Sequence, residues 1–236
     1  MLKELLQYFK EHNRPETVEA NGHIYSTRNL ERLDKESSVD SIKVRSLTGL
    51  LDYIKSDFDT DRKFMIHVEG PQQVYLYDAL NDDGDRRCYV KAHALLPDIN
   101  FNSYMDIERF IIQTQANFIQ NDHTASLLRF VGSISEQDSK ETKDNGITQS
   151  VVAKTGVATV EEVNVPNPVL LRPFRTFVEV PQPESSFILR LRNGPAAALY
   201  QADGGAWELN AMHNIEKYLS ESLSDEITEG KVFIVS

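Results

Sequence analysis

Cysteine is almost absent from this sequence: Cys88 stands alone among 236 residues. No internal disulfide can form, which fits a reducing compartment. Long apolar runs are absent too, and nothing approaches the roughly 20 residues that a helix needs to span a bilayer. The opening Met-Leu-Lys-Glu-Leu-Leu carries charge too early and too often for an export signal. The expectation is a cytoplasmic protein with no membrane association.

The familiar catalytic and cofactor patterns are also missing. There is no Gly-x-x-x-x-Gly-Lys-Ser/Thr phosphate loop, no dinucleotide Gly-x-Gly-x-x-Gly and no nucleophile-elbow Gly-x-Ser-x-Gly. The six histidines, at 12, 23, 67, 93, 123 and 213, form no His-x-x-x-His pair. His67 and His93 can meet if they lie on adjacent strands, but strand packing is the simpler role. Ala79 to Gly84 resembles a calcium loop only briefly. With Gly84 at the sixth position, Ala79 and Val90 occupy the first and twelfth, where calcium needs acidic ligands. The sequence therefore offers no catalytic residue, no cofactor site and no metal site. A hydrolase using scattered acids such as Asp82, Asp83 and Asp85 is a third function class.

Forty per cent of the residues are hydrophobic and 26% charged, enough apolar material for a core. The formal net charge is -11, which repels polyanions and anionic membranes at long range. The acids are spread along the chain, which argues against a mimic of DNA.

Periodicity supplies the elements. Leu2, Leu5, Leu6 and Phe9 predict a helix over 2–12, and Asn21-Gly22 a tight hairpin. Leu47, Leu50, Leu51 and Ile54 predict a second helix capped by Ser46. Strands at 63–69, 72–79 and about 87–95 form a β-meander, broken by Gly70-Pro71 and by the turn at 81–85. Cys88 falls in the last of these as a small, half-buried strand residue. A helix over about 104–120, with Ser103 and Asp106 as candidate caps, has apolar residues on two faces: Ile107, Phe110, Ile111 and Phe118, then Ile112, Ala116 and Ile119. That pattern predicts a central helix. Asp122 is the expected cap of the next one. Residues 135–146 have no aliphatic or aromatic side chain and are expected to form an exposed, mobile loop. They divide the chain into an N-terminal α+β part, 1–134, and a C-terminal β-rich part, 147–236. Strands are expected in 151–165 and at 169–172, 174–180, 186–192, 196–201 and 232–235. A helix over 205–222 carries Trp207, Ala211, Ile215 and Leu219 on one face, with Trp207 buried. The fold class is α+β, with an N-terminal β-meander carrying helices and a C-terminal, mainly antiparallel sheet backed by this helix.

Two features are candidate sites. Arginines interleave with aromatic residues at Arg172, Phe174, Arg175 and Phe177, and Arg190 and Arg192 follow on one strand face. Residues 147–202 hold five bases against four acids, so this region can present stacking rings and cations to single-stranded nucleic acid or to a partner. Pairing with Glu161, Glu162, Glu179 or Glu184 is the competing and favoured role. Gly204 and Gly205, opening the C-terminal helix, can offer free amides to an anion. Asp203 can fill that role itself.

Several blocks together resemble a known family: Val-Arg-Ser-Leu-Thr-Gly-Leu-Leu-Asp-Tyr-Ile (44–54), Phe-Ile-Ile-Gln-Thr-Gln-Ala-Asn-Phe (110–118), Gly-Ile-Thr-Gln-Ser-Val-Val-Ala-Lys-Thr-Gly-Val-Ala (146–158), Val-Pro-Asn-Pro-Val-Leu-Leu-Arg-Pro-Phe-Arg-Thr-Phe (165–177) and Ala-Asp-Gly-Gly-Ala-Trp (202–207). The chain resembles the YfdQ-like proteins encoded by bacteriophages and prophages. The resemblance implies a phage origin and a gene expressed early, beside replication or recombination functions. It implies no activity and transfers no catalytic residue. The expectation is a non-enzymatic protein of the bacterial cytoplasm that acts by binding or self-assembly. It is expected to form a homo-oligomer, with a host or phage protein as a further partner. A nucleic-acid-associated role in phage replication or recombination is the alternative.

Overall fold

The computed structural model describes residues 2–12, 15–20, 23–27, 40–59, 62–81, 84–134, 143–144, 149–154, 160–192 and 196–236. They form two compact units, Met1–Ser38 and Val39–Ser236. The first holds α1 (Leu2–His12) and the hairpin β1 (Thr17–Ala20) and β2 (His23–Ser26). Ala20 pairs with His23, so two residues connect the strands, although Asn21 and Gly22 themselves lie outside the described residues. Leu2, Leu5, Leu6 and Phe9 are all more than half exposed, so the apolar stripe of α1 stays open to solvent.

The second unit begins with β3 (Ile42–Val44) and α2 (Leu47–Ser56). Ser46 caps α2, its Oγ accepting the Gly49 N–H at 3.1 Å. The meander follows as β4 (Phe64–Gly70), β5 (Gln73–Asp78) and β6 (Cys88–His93). Next come β7 (Met105–Asp106), α3 (Ile107–Asn117), α4 (Asp122–Gly132), β8 (Lys143–Asp144), β9 (Gln149–Lys154) and β10 (Val160–Asn164). The chain closes with β11 (Val169–Leu171), β12 (Ser185–Arg192), β13 (Ala196–Gln201), α5 (Ala206–Ser222), α6 (Ser224–Thr228) and β14 (Val232–Val235).

Two sheets carry the core of this unit. One has five strands in the order β14-β4-β5-β6-β3. Its centre is the antiparallel meander, flanked by β14 and β3, each parallel to its neighbour. The other is antiparallel and four-stranded, β11-β12-β13-β7. Strand alternation turns Phe64, Ile66, Val68, Val74, Leu76, Val90 and Ala92 to one side of the first sheet, where they meet Leu47, Leu50 and Ile54 of α2 and Ile215 and Leu219 of α5. The second sheet turns Leu171, Phe187, Leu189, Leu191 and Leu199 onto Phe110, Phe118, Leu127 and Val131 of the α3–α4 region. Each fully buried Leu, Phe or Ile contributes about 1.5–3 kcal/mol.

The fold is α+β with an antiparallel C-terminal sheet. The helix α5 lies mainly on the five-stranded sheet, and α3 and α4 cover the antiparallel one. Both cores draw on residues before and after 135–146, most of which lie outside the described residues; 143–144 form β8, paired with β9.

Local expectations are corrected in three places. Residues 174–180 form no strand: the Gln182 amide accepts from the Arg175 and Thr176 N–H groups at 3.0 and 3.2 Å and donates to the Phe177 carbonyl at 3.0 Å, satisfying backbone that a ladder would otherwise pair. Asn121, not Asp122, caps α4, its Oδ1 accepting the Thr124 N–H at 2.9 Å. The second apolar face of α3 is not central, because Ile112 is 55% exposed and Ala116 is exposed beside it.

Two side-chain amides extend the edge of β12 where β11 stops. Asn167 accepts from the Leu189 N–H at 2.7 Å and donates to its carbonyl at 3.1 Å. Gln149 does the same for Leu191, at 2.8 and 2.6 Å. Both side chains have a structural role here. Gln149→Leu is expected to cost about 1–3 kcal/mol in urea unfolding, because it strands buried backbone groups. A neutral result would mean that water replaces the amide.

Candidate functional site

The arginine-aromatic segment folds inward. Arg175 is 6% exposed and Phe177 1% exposed. The Arg175 guanidinium lies 3.9 Å from the Trp207 ring centroid and 5.8 Å from that of Phe187. It donates to the Ser185 hydroxyl and reaches Gln201 Oε1 at 3.5 Å. Asp203 stands 3.9 Å away, accepting from the same Ser185 hydroxyl. Burial pulls the Arg175 guanidinium down to about 10, against the opposing charges of Asp203 and Glu208, so it stays cationic at neutral pH. For Asp203, burial acts to raise the carboxyl. The Ser185 hydroxyl, the Gly205 amide and the Arg175 charge outweigh it and hold the group below the usual carboxylate range. This is a buried ionic knot where α5 begins, in which Arg175, Ser185 and Asp203 engage one another.

The other candidates divide. Arg172 pairs with Glu184 at 3.2 Å, as the competing role required. Glu179 instead accepts from the Thr48 N–H at 3.2 Å. Arg190 and Arg192 do share the outer face of β12; Arg192 lies 4.5 Å from the Tyr104 ring centroid, and Arg190 has an interaction partner of its own. Phe174 is half-buried. Arg172→Ala is expected to shift stability by only about 0–1 kcal/mol, because the pair with Glu184 is half exposed. A loss well above that in thermal melts would place Arg172 in a larger network.

Gly204 and Gly205 have φ of +62° and +83°, which suits glycine. The Gly205 N–H donates to Asp203 Oδ1 at 3.3 Å. The chain's own carboxylate thus stands where an external anion would meet these amides.

A different surface stands out. The helices α2 and α5 pack on one side of the five-stranded sheet, and Ile227 of α6 joins the same core. The other side is built by residues at alternate positions. One cross-strand row runs Val235, His67, Tyr75, Lys91, Lys43 across all five strands. A second runs Phe233, Met65, Tyr77, Cys88, and a third pairs Gln73 with His93. The Tyr75 ring lies 6.2 Å from Tyr77 and 5.9 Å from His93, with Lys91 Nζ 6.0 Å from its centroid. Phe233 is 67% exposed at the β14 edge. Burial, with Glu69 nearby, raises the Tyr75 phenol, and burial raises the Cys88 thiol, so Cys88 is no activated nucleophile. His67 and His93 are on strands separated by β5, not on adjacent ones. Tyr75 stands between them.

The signal for this face was present in the alternation of residues 63–69, 73–78 and 88–93. Which of the two alternating sets would pack under α2 and α5 depended on where those helices landed. Among the described residues, no group of three or more His, Cys, Asp or Glu is placed to hold a metal, and no helix is long and apolar enough to cross a membrane. Two clefts, of about 180 Å³ beside Arg62 and Lys231 and about 260 Å³ beside Arg109 and Ile112, are smaller than ordinary small-molecule sites. No protein-family model, curated protein or solved structure matches the chain.

Proposed function

We propose that this is a phage- or prophage-encoded, non-enzymatic protein that acts by binding in the bacterial cytoplasm, through the outer face of the five-stranded sheet. The order of the sequence blocks supports the origin. The binding reading is carried by one observation. Met65, Tyr75, Tyr77, His67 and Phe233 stand together on a sheet face that neither α2 nor α5 covers. A contiguous patch of large apolar and aromatic groups costs solubility unless something occupies it. The occupant is a second copy of the chain or a phage or host component.

The triple variant Tyr75→Ser, Tyr77→Ser, Phe233→Ser tests this reading, since all three lie outside the buried core. Light scattering and retention of components from phage-infected cells are compared with wild type. The variant is expected to melt like wild type and to lose self-association or retention. Identical behaviour of the two proteins would sink the proposal.

A further inference from the structure

We infer that the outer face of the five-stranded sheet binds single-stranded nucleic acid; this names a ligand class for the proposed contact surface and rests on that reading. The support is the chemistry of the rows. Tyr75, Tyr77 and His93 are neighbouring, half-buried rings on the sheet face that neither α2 nor α5 covers, and such rings accept stacked bases of any sequence. Lys91 and Lys43 follow Tyr75 in the same cross-strand row, placing cations where a phosphate backbone would pass beside a stacked base.

The distribution of charge points the same way. The chain has 36 acids against 25 bases. Yet the three rows contain Lys43 and Lys91 and no acid; Glu69, which follows Met65 and His67 on the same side of β4, is the carboxylate beside Tyr75. Screening shortens the reach of the remaining acids to about 10 Å at 0.1 M salt, so local charge decides the contact. Four gaps between strands at about 4.8 Å make the platform about 19 Å wide. Sheet platforms of that kind stack two or three bases. A second copy of the chain would bring lysines against lysines in this face, which makes nucleic acid the better occupant.

The test is fluorescence anisotropy with labelled oligothymidylate and oligouridylate of about 20 nucleotides, using the full chain. Wild type is expected to bind with affinity that falls steeply with salt. Lys43→Ala with Lys91→Ala is expected to lower the salt slope by about two contacts. Tyr75→Ala and Tyr77→Ala are each expected to weaken binding roughly 5- to 150-fold at constant salt. Preference between the two oligomers separates a DNA role from an RNA role, since only the latter offers a 2′-hydroxyl. Arg190→Ala with Arg192→Ala is expected to bind as wild type. Loss of binding there, with the tyrosine variants unaffected, would move the site to β12 and overturn the inference. Absence of binding to either oligomer at low salt would overturn the ligand class alone, provided the triple serine variant still abolishes self-association or retention. Equal behaviour of the tyrosine variants in both experiments would overturn the contact surface as well.

Discussion

Asp203→Ala is expected to destabilise the protein by about 3–5 kcal/mol, because it strips a buried guanidinium of its nearest counter-charge and leaves Glu208 as the weaker one. Arg175 is 6% exposed, and its charge is balanced by Asp203 at 3.9 Å and by the Trp207 π-face. The Arg175 Nε–H has no acceptor among the described residues, and Ser185 and Gln201, which accept from the other guanidinium nitrogens, carry no charge to replace the carboxylate. Urea unfolding at neutral pH measures the loss. The double variant Arg175→Met, Asp203→Ala is expected to recover much of it, since an apolar side chain of similar length leaves no unpaired charge. A nearly neutral Asp203→Ala would mean that water reaches the guanidinium. The same knot sets an acid limb. The folded-state pKa of Asp203 lies below its unfolded value, so the native state holds the proton less tightly. Its contribution is therefore complete above an ordinary carboxylate pKa of about 3.9 and is lost as pH falls through the lower folded value. Between pH 5 and the acid transition, Asp203→Asn is expected to show a flatter stability profile than wild type.

Trp207→Ala is expected to cost about 3–5 kcal/mol, from lost transfer energy and the cavity left behind. Trp207 is 8% exposed and begins the stripe that continues through Ala211, Ile215 and Leu219. Its ring also carries Arg175, and loss of a desolvated cation–π contact adds up to about 2 kcal/mol. Trp207→Phe keeps a ring under the guanidinium and is expected to lose less than the alanine variant. Trp207 is the sole tryptophan, so its emission reports unfolding without a label. An alanine variant that melts like wild type would mean that α5 does not depend on this anchor.

The short-range signals were legible because their causes are short-range. Ser46 caps α2, the Gly70–Pro71 break ends β4, and the stripe from Trp207 to Leu219 is buried, all from spacing and turn chemistry within a few residues. Residues 174–180 misled because alternating apolar residues imply a strand only if a neighbouring strand pairs with them. Here the Gln182 amide takes that backbone instead. Arginine beside aromatic rings likewise has the same appearance whether it faces solvent or, like Arg175, lies buried under Trp207.

Composition, charge and periodicity by themselves determined the α+β class, most of the helices and strands, and the burial of the C-terminal helix stripe. Tertiary structure alone decided that β14 returns to pair with β4, that α5 lies mainly on the five-stranded sheet, and that α2 and α5 share one side of it. Those choices turn Tyr75, Tyr77, Lys91 and His93 outward and Arg175 inward. The physical reason is that strand alternation specifies two faces without specifying which is covered. Covering is settled by contacts between residues more than a hundred positions apart, such as Leu50 and Ile215 in one core.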